Sequence, residues 1–338
     1  MKILVIDDKA NDPEHSRRFT LDMLKESEDI DFDLIEPTEE ALTNSLNKIQ
    51  EYNLILVDYR FDKPGMFKSG ASLYSLFRDY TSSTPIYLIS VMPSRSNQIG
   101  DFDLFINDSH IENQSAFKYE VIGHKELQEC KKPSRLIELL AAPEEIEEDL
   151  CTMIKPIFST SSPKTVNNSD EIQPSSINGD LNIHVFQWLM QSLLHKEGPL
   201  VSQDGAALLL GISREYFEEV AHKLAKAKYN GIFHASTEDR WWGCLLEDIV
   251  FELEDPEELL SNCSFKEAAS RLLGAQRDND FSICVHPNCE KRYPDSLGIL
   301  TSDDDKTLYP VHISCSEFNE SLTQEPFFRN PRLIVEEE

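Results

Sequence analysis

The sequence predicts an α/β protein: a parallel sheet with helices on both faces, followed by a mostly α-helical module and a small metal-binding segment. Two observations lead to this fold class. Short apolar runs alternate with amphipathic stretches over residues 1–140, which is the pattern of a doubly wound sheet. Beyond them, helical spacing dominates to about residue 250, and cysteine and histidine cluster near the C-terminus.

The strand candidates of the first part are apolar runs without interruption. The sequence predicts strands at 2–6, 32–35, 53–57, 85–91 and, as a candidate fifth strand, 102–106. Parallel strands that are covered on both faces have such continuous runs. Helices are predicted at 15–25, 39–50 and 71–80, the second with Thr38 as its N-cap.

Acidic residues follow two of these strands directly. Asp7 and Asp8 come after the first run, and Asp58 comes after the third. The carboxyl ends of strands line the ligand crevice of an open α/β sheet, so we expect the three carboxylates to converge there. Converging carboxylates repel one another and hold a hard cation, for which Mg²⁺ is suited.

The segments ILVIDD, LILVDYRF and PIYLIS resemble those of bacterial response-regulator receiver domains, which have a flavodoxin-like fold. The resemblance covers about the first 130 residues. It implies that Asp7 and Asp8 bind Mg²⁺ together with Asp58. It also implies that Asp58 accepts a phosphoryl group from a histidine kinase, and that Ser90 bonds the phosphoryl oxygen.

The same resemblance implies a switch lysine at the end of the fifth strand. Asn107 and Asp108 follow the run 102–106 instead. Lys118 and Lys125 are the next candidates, and Lys125 fits best if it ends a strand within YEVIGHK and 101–116 is an insertion. Without such a lysine, the domain is a degenerate receiver that no longer switches by phosphorylation.

Residues 141–180 are predicted to be a flexible linker, because an acidic run leads into a stretch rich in Ser, Thr, Pro and Asn. A second module is expected at 181–250, with helices at 184–195, 202–210 and 214–228 and short strands at 231–233 and 240–242. Its helix, glycine turn, helix and hairpin match a winged helix-turn-helix, with Ser213 capping the second helix.

Charge argues against DNA binding by this module. The chain has a formal net charge of −29, and the second helix starts with an acidic turn. A DNA-binding domain needs a basic surface, so a packing or protein-contact module is the stronger interpretation. The adjacent Trp241 and Trp242 suggest either one buried ring and one partner anchor, or one buried and one half-covered ring.

The C-terminal region, 251–338, contains a candidate zinc site. Two pairs, Cys284 with Cys289 and His312 with Cys315, supply the thiolate and imidazole ligands that Zn²⁺ prefers. The segment weakly resembles a treble-clef zinc finger, and four protein ligands indicate a structural rather than a catalytic metal. His286 is an alternative ligand, and free thiols are the alternative interpretation.

The sequence therefore predicts a cytoplasmic response-regulator-like signalling protein that is not an enzyme. Neither a secretory signal nor a membrane span is recognisable, and the acidic charge disfavours anionic membrane surfaces. In this interpretation the receiver controls a C-terminal module that binds a protein partner. The alternatives are a degenerate-receiver adaptor of a multi-protein assembly, for example in phage defence, and a DNA-binding transcription regulator.

Overall fold

The chain forms two compact units that are interleaved along the sequence. A computed structural model describes residues 1–12, 16–27, 30–62, 67, 69–81, 84–90, 104–107, 111, 113–160, 175–236, 238–253, 263–289, 296–299, 307–315, 317–318 and 333–334. The first unit consists of Met1–Ala142, Glu148–Met190 and Gly231–Ser236. The second consists of Pro143–Glu147, Gln191–Asn230 and Thr237–Glu338. The division into consecutive domains at 140, 180 and 250 stays a prediction from the sequence.

A five-stranded parallel sheet is the centre of the first unit. Its strands are β1 (Lys2–Ile6), β2 (Asp31–Ile35), β3 (Leu54–Asp58), β4 (Ile86–Ser90) and β5 (Leu104–Asn107). Their order is β2-β1-β3-β4-β5, and every pairing is parallel. This is the flavodoxin-like doubly wound order, so the predicted fold class is confirmed.

Helices connect and cover these strands. They are α1 (Ser16–Ser27), α2 (Glu39–Leu46), α3 (Gly70–Tyr80), α4 (Gln114–Glu129), α5 (Pro133–Leu139), α6 (Glu144–Thr160) and α7 (Ser175–Trp188). A π-helical turn at Leu189–Leu193 follows α7. The Thr38 side chain accepts a hydrogen bond from the Ala41 amide, which confirms the predicted N-cap of α2. The central strand residues are fully buried, as continuous apolar runs require.

The predicted linker at 141–180 is wrong in its first part, where α6 forms. Leu150 and Ile154 lie four residues apart, on one face of the helix, and both are completely buried. Glu144, Glu145 and Glu147 occupy the first turn, where negative charge favours the helix dipole. The acidic run is therefore the start of an amphipathic helix. Residues 161–174 of the predicted linker lie outside the described residues.

A buried polar cluster lies beneath α4. The Tyr87 hydroxyl of β4 donates to Glu120 Oε1 at 2.7 Å and also contacts His124 Nε2. Phe186 of α7 and Phe233 pack their rings against His124, at centroid distances of 4.9 and 5.0 Å. Late segments of the chain thus complete the core of the first unit.

Phe233 belongs to the short segment Gly231–Ser236, which packs on α4. Its ring lies so close to Gly123 that a Cβ there would be 2.9 Å from it, so glycine is needed at this position. The Ile232 amide donates to the Leu139 carbonyl at 2.9 Å, and the His234 ring packs at a tilt against the Tyr119 ring. The predicted strand at 231–233 is therefore wrong, and the segment is a turn followed by a 3₁₀-helix at His234–Ser236.

The second unit is mostly helical. Its elements are β6 (Leu200–Val201), α8 (Gln203–Leu209), α9 (Arg214–Val220), a 3₁₀-helix at Ala221–Ala227, β7 (Trp241–Trp242), α10 (Gly243–Leu253) and α11 (Phe265–Leu273). Ser213 caps α9 as predicted, because its side chain accepts from the Tyr216 amide. The predicted helix at 214–228 is divided between α9 and the 3₁₀-helix. The turn between α8 and α9 contains Gly211, at φ 69°.

The second unit has no hairpin at the predicted position, among its described residues, because β7 pairs antiparallel with β6. Trp241 and Trp242 are both buried, at 5% and 2% exposure, so the prediction that one of them is uncovered is wrong. The buried Arg240 guanidinium binds Glu197 at 3.0 Å and donates to the Leu194 carbonyl at 2.7 Å. These contacts fix the start of β7.

Short antiparallel pairs form the C-terminal part of the second unit. They are β8 (Leu297–Ile299) with β9 (Tyr309–Val311), and β10 (Glu317–Phe318) with β11 (Leu333–Ile334). Within the described residues of the whole chain, none of the helices has the length and apolar character needed to span a bilayer.

Candidate functional site

The three predicted acidic residues converge at the carboxyl edge of the sheet. Asp7 and Asp8 follow β1 and are almost fully buried, whereas Asp58 ends β3 and keeps 18% of its side chain exposed. One carboxylate oxygen from each lies within 4.8 Å of the others. We call Asp7, Asp8 and Asp58 the acidic pocket.

Arg17, near the start of α1, is a part of this pocket that the sequence reasoning missed. Its Nη1 lies 2.5 Å from Asp7 Oδ2 and 3.5 Å from Asp58 Oδ2. The side chain is only 6% exposed. The sequence shows two adjacent arginines, Arg17 and Arg18, downstream of Asp8. It does not show that Arg17 reaches the pocket, because that depends on how α1 packs.

The Asp58 carboxyl group is harder to ionise than an ordinary aspartate. Burial raises its pKa to about 6, the neighbouring Asp7 charge adds to the rise, and the charge of Arg17 opposes it. Asp58 is therefore a partly buried carboxylate near one fixed cation. A ligand that adds positive charge would relieve this cost.

Backbone contacts fix the pocket on both sides. A Cβ on Gly70, the first residue of α3, would collide with the Asp58 carbonyl, so only glycine allows this approach. Asp8 accepts a hydrogen bond from the Asp62 amide at 2.7 Å, and Asp7 accepts from the Lys9 amide at 2.8 Å. The Asp7 and Asp8 carboxylates are thus oriented by the loops that follow β1 and β3.

Ser90 ends β4 as predicted, next to the residue that pairs with Asp58 in the sheet register. Lys125 is a different case. It lies on α4 with an exposed side chain, and β5 instead ends at Asn107. The prediction that Lys125 ends the fifth strand is therefore wrong, because YEVIGHK forms helix rather than strand, and Lys118 lies on the same helix.

The four predicted zinc ligands also come together. One donor atom each of Cys284, Cys289, His312 and Cys315 lies within 4.8 Å of the others, and we call this group the Cys/His cluster. Cys289 Sγ is 3.1 Å from His312 Nδ1. The cluster lies beside β9, where the Val285 amide donates to the Pro310 carbonyl and Val311 is fully buried.

Each ligand pair contains a tight turn. The Cys289 amide donates to the His286 carbonyl, and the Cys315 amide donates to the His312 carbonyl. His286 itself is not one of the clustered donors, and its Nδ1 accepts from the Asn288 amide. Burial and the adjacent Cys289 and Cys284 thiols raise the pKa of Cys315, so forming its thiolate carries a cost that a bound cation would offset.

The exposed face of α9 carries more acid than base. Arg214 pairs with Asp204 at 3.0 Å, while Glu215, Glu218 and Glu219 are exposed. A helix that reads the major groove presents basic and polar side chains at its N-terminal end. The charge of α9 therefore agrees with the charge argument from the sequence.

Comparisons with solved structures give distant likenesses. The chain is similar to a structure of two RcsB dimers bound to two parallel DNAs, at 11% identity and a TM-score of 0.27, covering 54% of this chain and 98% of that one. It is also similar to RcsB from Salmonella enterica serovar Typhimurium bound to promoter rprA in the presence of phosphomimetic BeF3⁻, at 12% identity and 0.27, covering 55% and 98%. Neither a protein-family profile nor a curated protein matches.

Proposed function

We propose that this protein is a response-regulator-like signalling protein in which Asp58 accepts a phosphoryl group. The observation that carries the proposal is the acidic pocket, three carboxylates gathered at the carboxyl edge of a flavodoxin-like sheet. Asp58 is the member that keeps access to solvent, and Ser90 ends the neighbouring strand. The modification would control a C-terminal module that binds a protein partner in the cytoplasm.

The donor set of the acidic pocket fits Mg²⁺. The three carboxylates carry three formal negative charges and Arg17 carries one positive charge, which leaves an excess suited to one divalent cation. Carboxylate oxygens are the ligands that Mg²⁺ takes from proteins, usually one or two of them with water. A bound Mg²⁺ would neutralise oxygen charge on an incoming phosphoryl group.

The chain's own residues do the rest of the chemistry. An Asp58 carboxylate oxygen attacks the phosphorus of the donor, the bond to the leaving group breaks, and the leaving group departs with the electron pair. Phosphoryl transfer depends mainly on positioning and charge, and Gly70 and Arg17 hold Asp58 in place. In this proposal the protein modifies only itself, by accepting the phosphoryl group from the donor, and it catalyses no reaction of other molecules.

Incubation with acetyl phosphate and Mg²⁺ tests this proposal. The full chain should gain one phosphoryl group by intact-mass spectrometry, and Asp58→Asn should gain none. Asp62→Asn is the matched control, because Asp62 lies beside the pocket with a side chain 71% exposed and should leave the modification intact. An unmodified Asp58 in the wild-type chain would refute the phosphorylation proposal.

We also propose that the Cys/His cluster binds one structural Zn²⁺. Three thiolates and one imidazole form a closed four-ligand set of the type that holds zinc without catalysis. The ligand pairs come from two segments separated in sequence, so the metal would fix 284–289 to 312–315.

The partner of the C-terminal module is proposed to be a protein rather than DNA. The acidic exposed face of α9 supports this, since phosphate backbones repel such a surface. Salt-dependent binding of duplex DNA at low ionic strength would contradict it. A degenerate-receiver adaptor is the second candidate, and the position of Lys125 on α4 favours it.

A further inference from the structure

The acidic pocket contains a cation that belongs to the chain itself. Arg17 is buried, and one of its guanidinium nitrogens lies between an oxygen of Asp7 and an oxygen of Asp58. A buried arginine is stable only when its charge is paired, and Asp7 supplies the shorter contact. The position of the guanidinium beside Asp58 is therefore fixed before any ligand arrives.

We propose that Arg17 binds the phosphoryl oxygens once Asp58 is modified. Arg17 would then supply the positive charge that the resemblance to receiver domains assigns to a lysine at the end of the fifth strand. The inference rests on the proposed function, because it concerns the same site. The 3.5 Å contact to Asp58 Oδ2 places the guanidinium next to the carboxylate to which the phosphoryl group would be attached. A planar guanidinium matches phosphate geometry through paired N–H donors, and it stays charged at all working pH values.

Asp8 is oriented by a different segment of the chain from the one that carries Arg17. The guanidinium contacts Asp7 and Asp58, whereas Asp8 is oriented by the Asp62 amide from the loop after β3. Arg17 also comes from α1, near the start of the chain, so a change in its contacts would move α1 rather than β5.

Variants of Arg17 test this in the full chain. Arg17→Gln removes the charge at similar length, and Arg17→Lys keeps the charge but loses the planar fork. With acetyl phosphate and Mg²⁺, we expect Arg17→Gln to lose about tenfold or more in the rate of Asp58 phosphorylation, with partial rescue by Arg17→Lys. Arg18→Gln is the matched control, because the adjacent Arg18 donates to the Ala10 carbonyl instead.

A second measurement separates this role from a structural one. Mg²⁺ affinity of the unmodified protein, measured calorimetrically, should be unchanged or tighter in Arg17→Gln, because a positive charge has been removed. If Arg17→Gln unfolds, Arg17→Lys serves in its place, because it keeps a charge for Asp7 to pair with and loses only the planar fork; phosphorylation of that variant at the wild-type rate would then overturn the proposal.

The possible failures are distinguishable. If the wild-type chain is not phosphorylated at all, the proposed function fails and this inference with it. If the wild type is phosphorylated and Arg17→Gln reacts at an equal or faster rate, only the role of Arg17 is overturned, and the guanidinium is then an inert or inhibitory counter-ion.

Discussion

The acidic pocket and the Cys/His cluster are both groups of metal-ligand residues, but the protein holds them in different ways. The acidic pocket lies at the edge of a sheet whose strands β1, β3 and β4 are almost completely buried, and Arg17 offsets part of its charge. The Cys/His cluster has a small apolar surrounding, in which Cys284 and Val311 are the buried residues.

This difference indicates which site depends on its metal for structure. The sheet core can hold the Asp residues in place without a cation, so metal binding there would serve chemistry. The two short segments of the Cys/His cluster have little core of their own, so metal binding would serve folding. Four predictions test this contrast, from the largest expected effect to the smallest.

Loss of zinc should have the largest effect, and it should be local to the second unit. We expect Cys289→Ala to abolish the bound zinc, measured by elemental analysis of the purified chain, and to remove hydrogen-exchange protection from β8 and β9. Structural zinc contributes about 10–16 kcal/mol of binding free energy in small domains, which this segment could not replace. The acidic pocket should be unaffected.

His286→Ala is the control for this prediction. In the sequence, His286 lies between the ligands Cys284 and Cys289, but it is outside the Cys/His cluster. The zinc content of His286→Ala should therefore match that of the wild type. Equal zinc in Cys289→Ala, or its loss in His286→Ala, would show that the ligand set is a different one.

Breaking the buried ion pair of the second unit should have the next largest effect. Arg240→Ala removes the cationic partner of Glu197 and the donor to two carbonyl groups, and we expect a loss of about 3–5 kcal/mol in the free energy of unfolding. Denaturant titration followed by tryptophan fluorescence would report it through Trp241 and Trp242. Arg277→Ala, with its side chain 71% exposed, should change stability by less than about 1 kcal/mol.

The first unit should respond to apolar packing instead. Phe233→Ala removes a ring that is 1% exposed, and we expect a loss of about 3–5 kcal/mol, seen as faster hydrogen exchange in α4 and β4. Phe19→Ala removes a ring that is 63% exposed and is the matched control. If both variants show equal protection of α4, the packing of Phe233 contributes nothing to this unit.

The smallest effect is a gain in stability from Asp58→Asn. Because burial raises the pKa of Asp58 to about 6, from 3.8, ionisation weakens the fold as the pH rises between these values. The neutral amide avoids this cost, so we expect the variant to be more stable than the wild type by about 1–2 kcal/mol at pH 7.5 without metal. The difference should shrink as the pH falls and vanish below about pH 4.

Thermal unfolding in the presence of a chelator, repeated across the pH range, measures this difference. Asp79→Asn is a suitable control, since it removes an exposed carboxylate near the end of α3. A variant at position 58 that is less stable than the wild type at pH 7.5 would mean that the pairing of Asp58 with Arg17 outweighs the burial cost.

The sequence predicted the sheet well because its strands are almost entirely apolar. Runs such as 53–57 have no polar face, and only a doubly covered parallel strand accommodates them. The aspartates after these runs were placed correctly for the same reason, since the end of a strand fixes which edge a residue joins. The cysteine and histidine spacings likewise identified four residues that do converge.

Other features were decided by tertiary contacts. The stretch around Val121 and Ile122 is too short for its apolar run to separate helix from strand, and it became part of α4. The acidic start of α6 resembled a solvated linker until Leu150 and Ile154 were seen to be buried. Arg17 could be assigned to a helix from its spacing, but its contact with Asp58 depends on how that helix packs.

Because Gly231–Ser236 packs in the first unit, it limits where the protein can be truncated. A fragment that ends at residue 142 would contain the whole sheet and the acidic pocket, yet it would lack Phe186 and Phe233. The Tyr87 and His124 rings would then lose their contacts with these two aromatic side chains. The smallest piece of this chain that can be expected to fold like the first unit therefore extends beyond residue 236, well past the end of its last sheet strand.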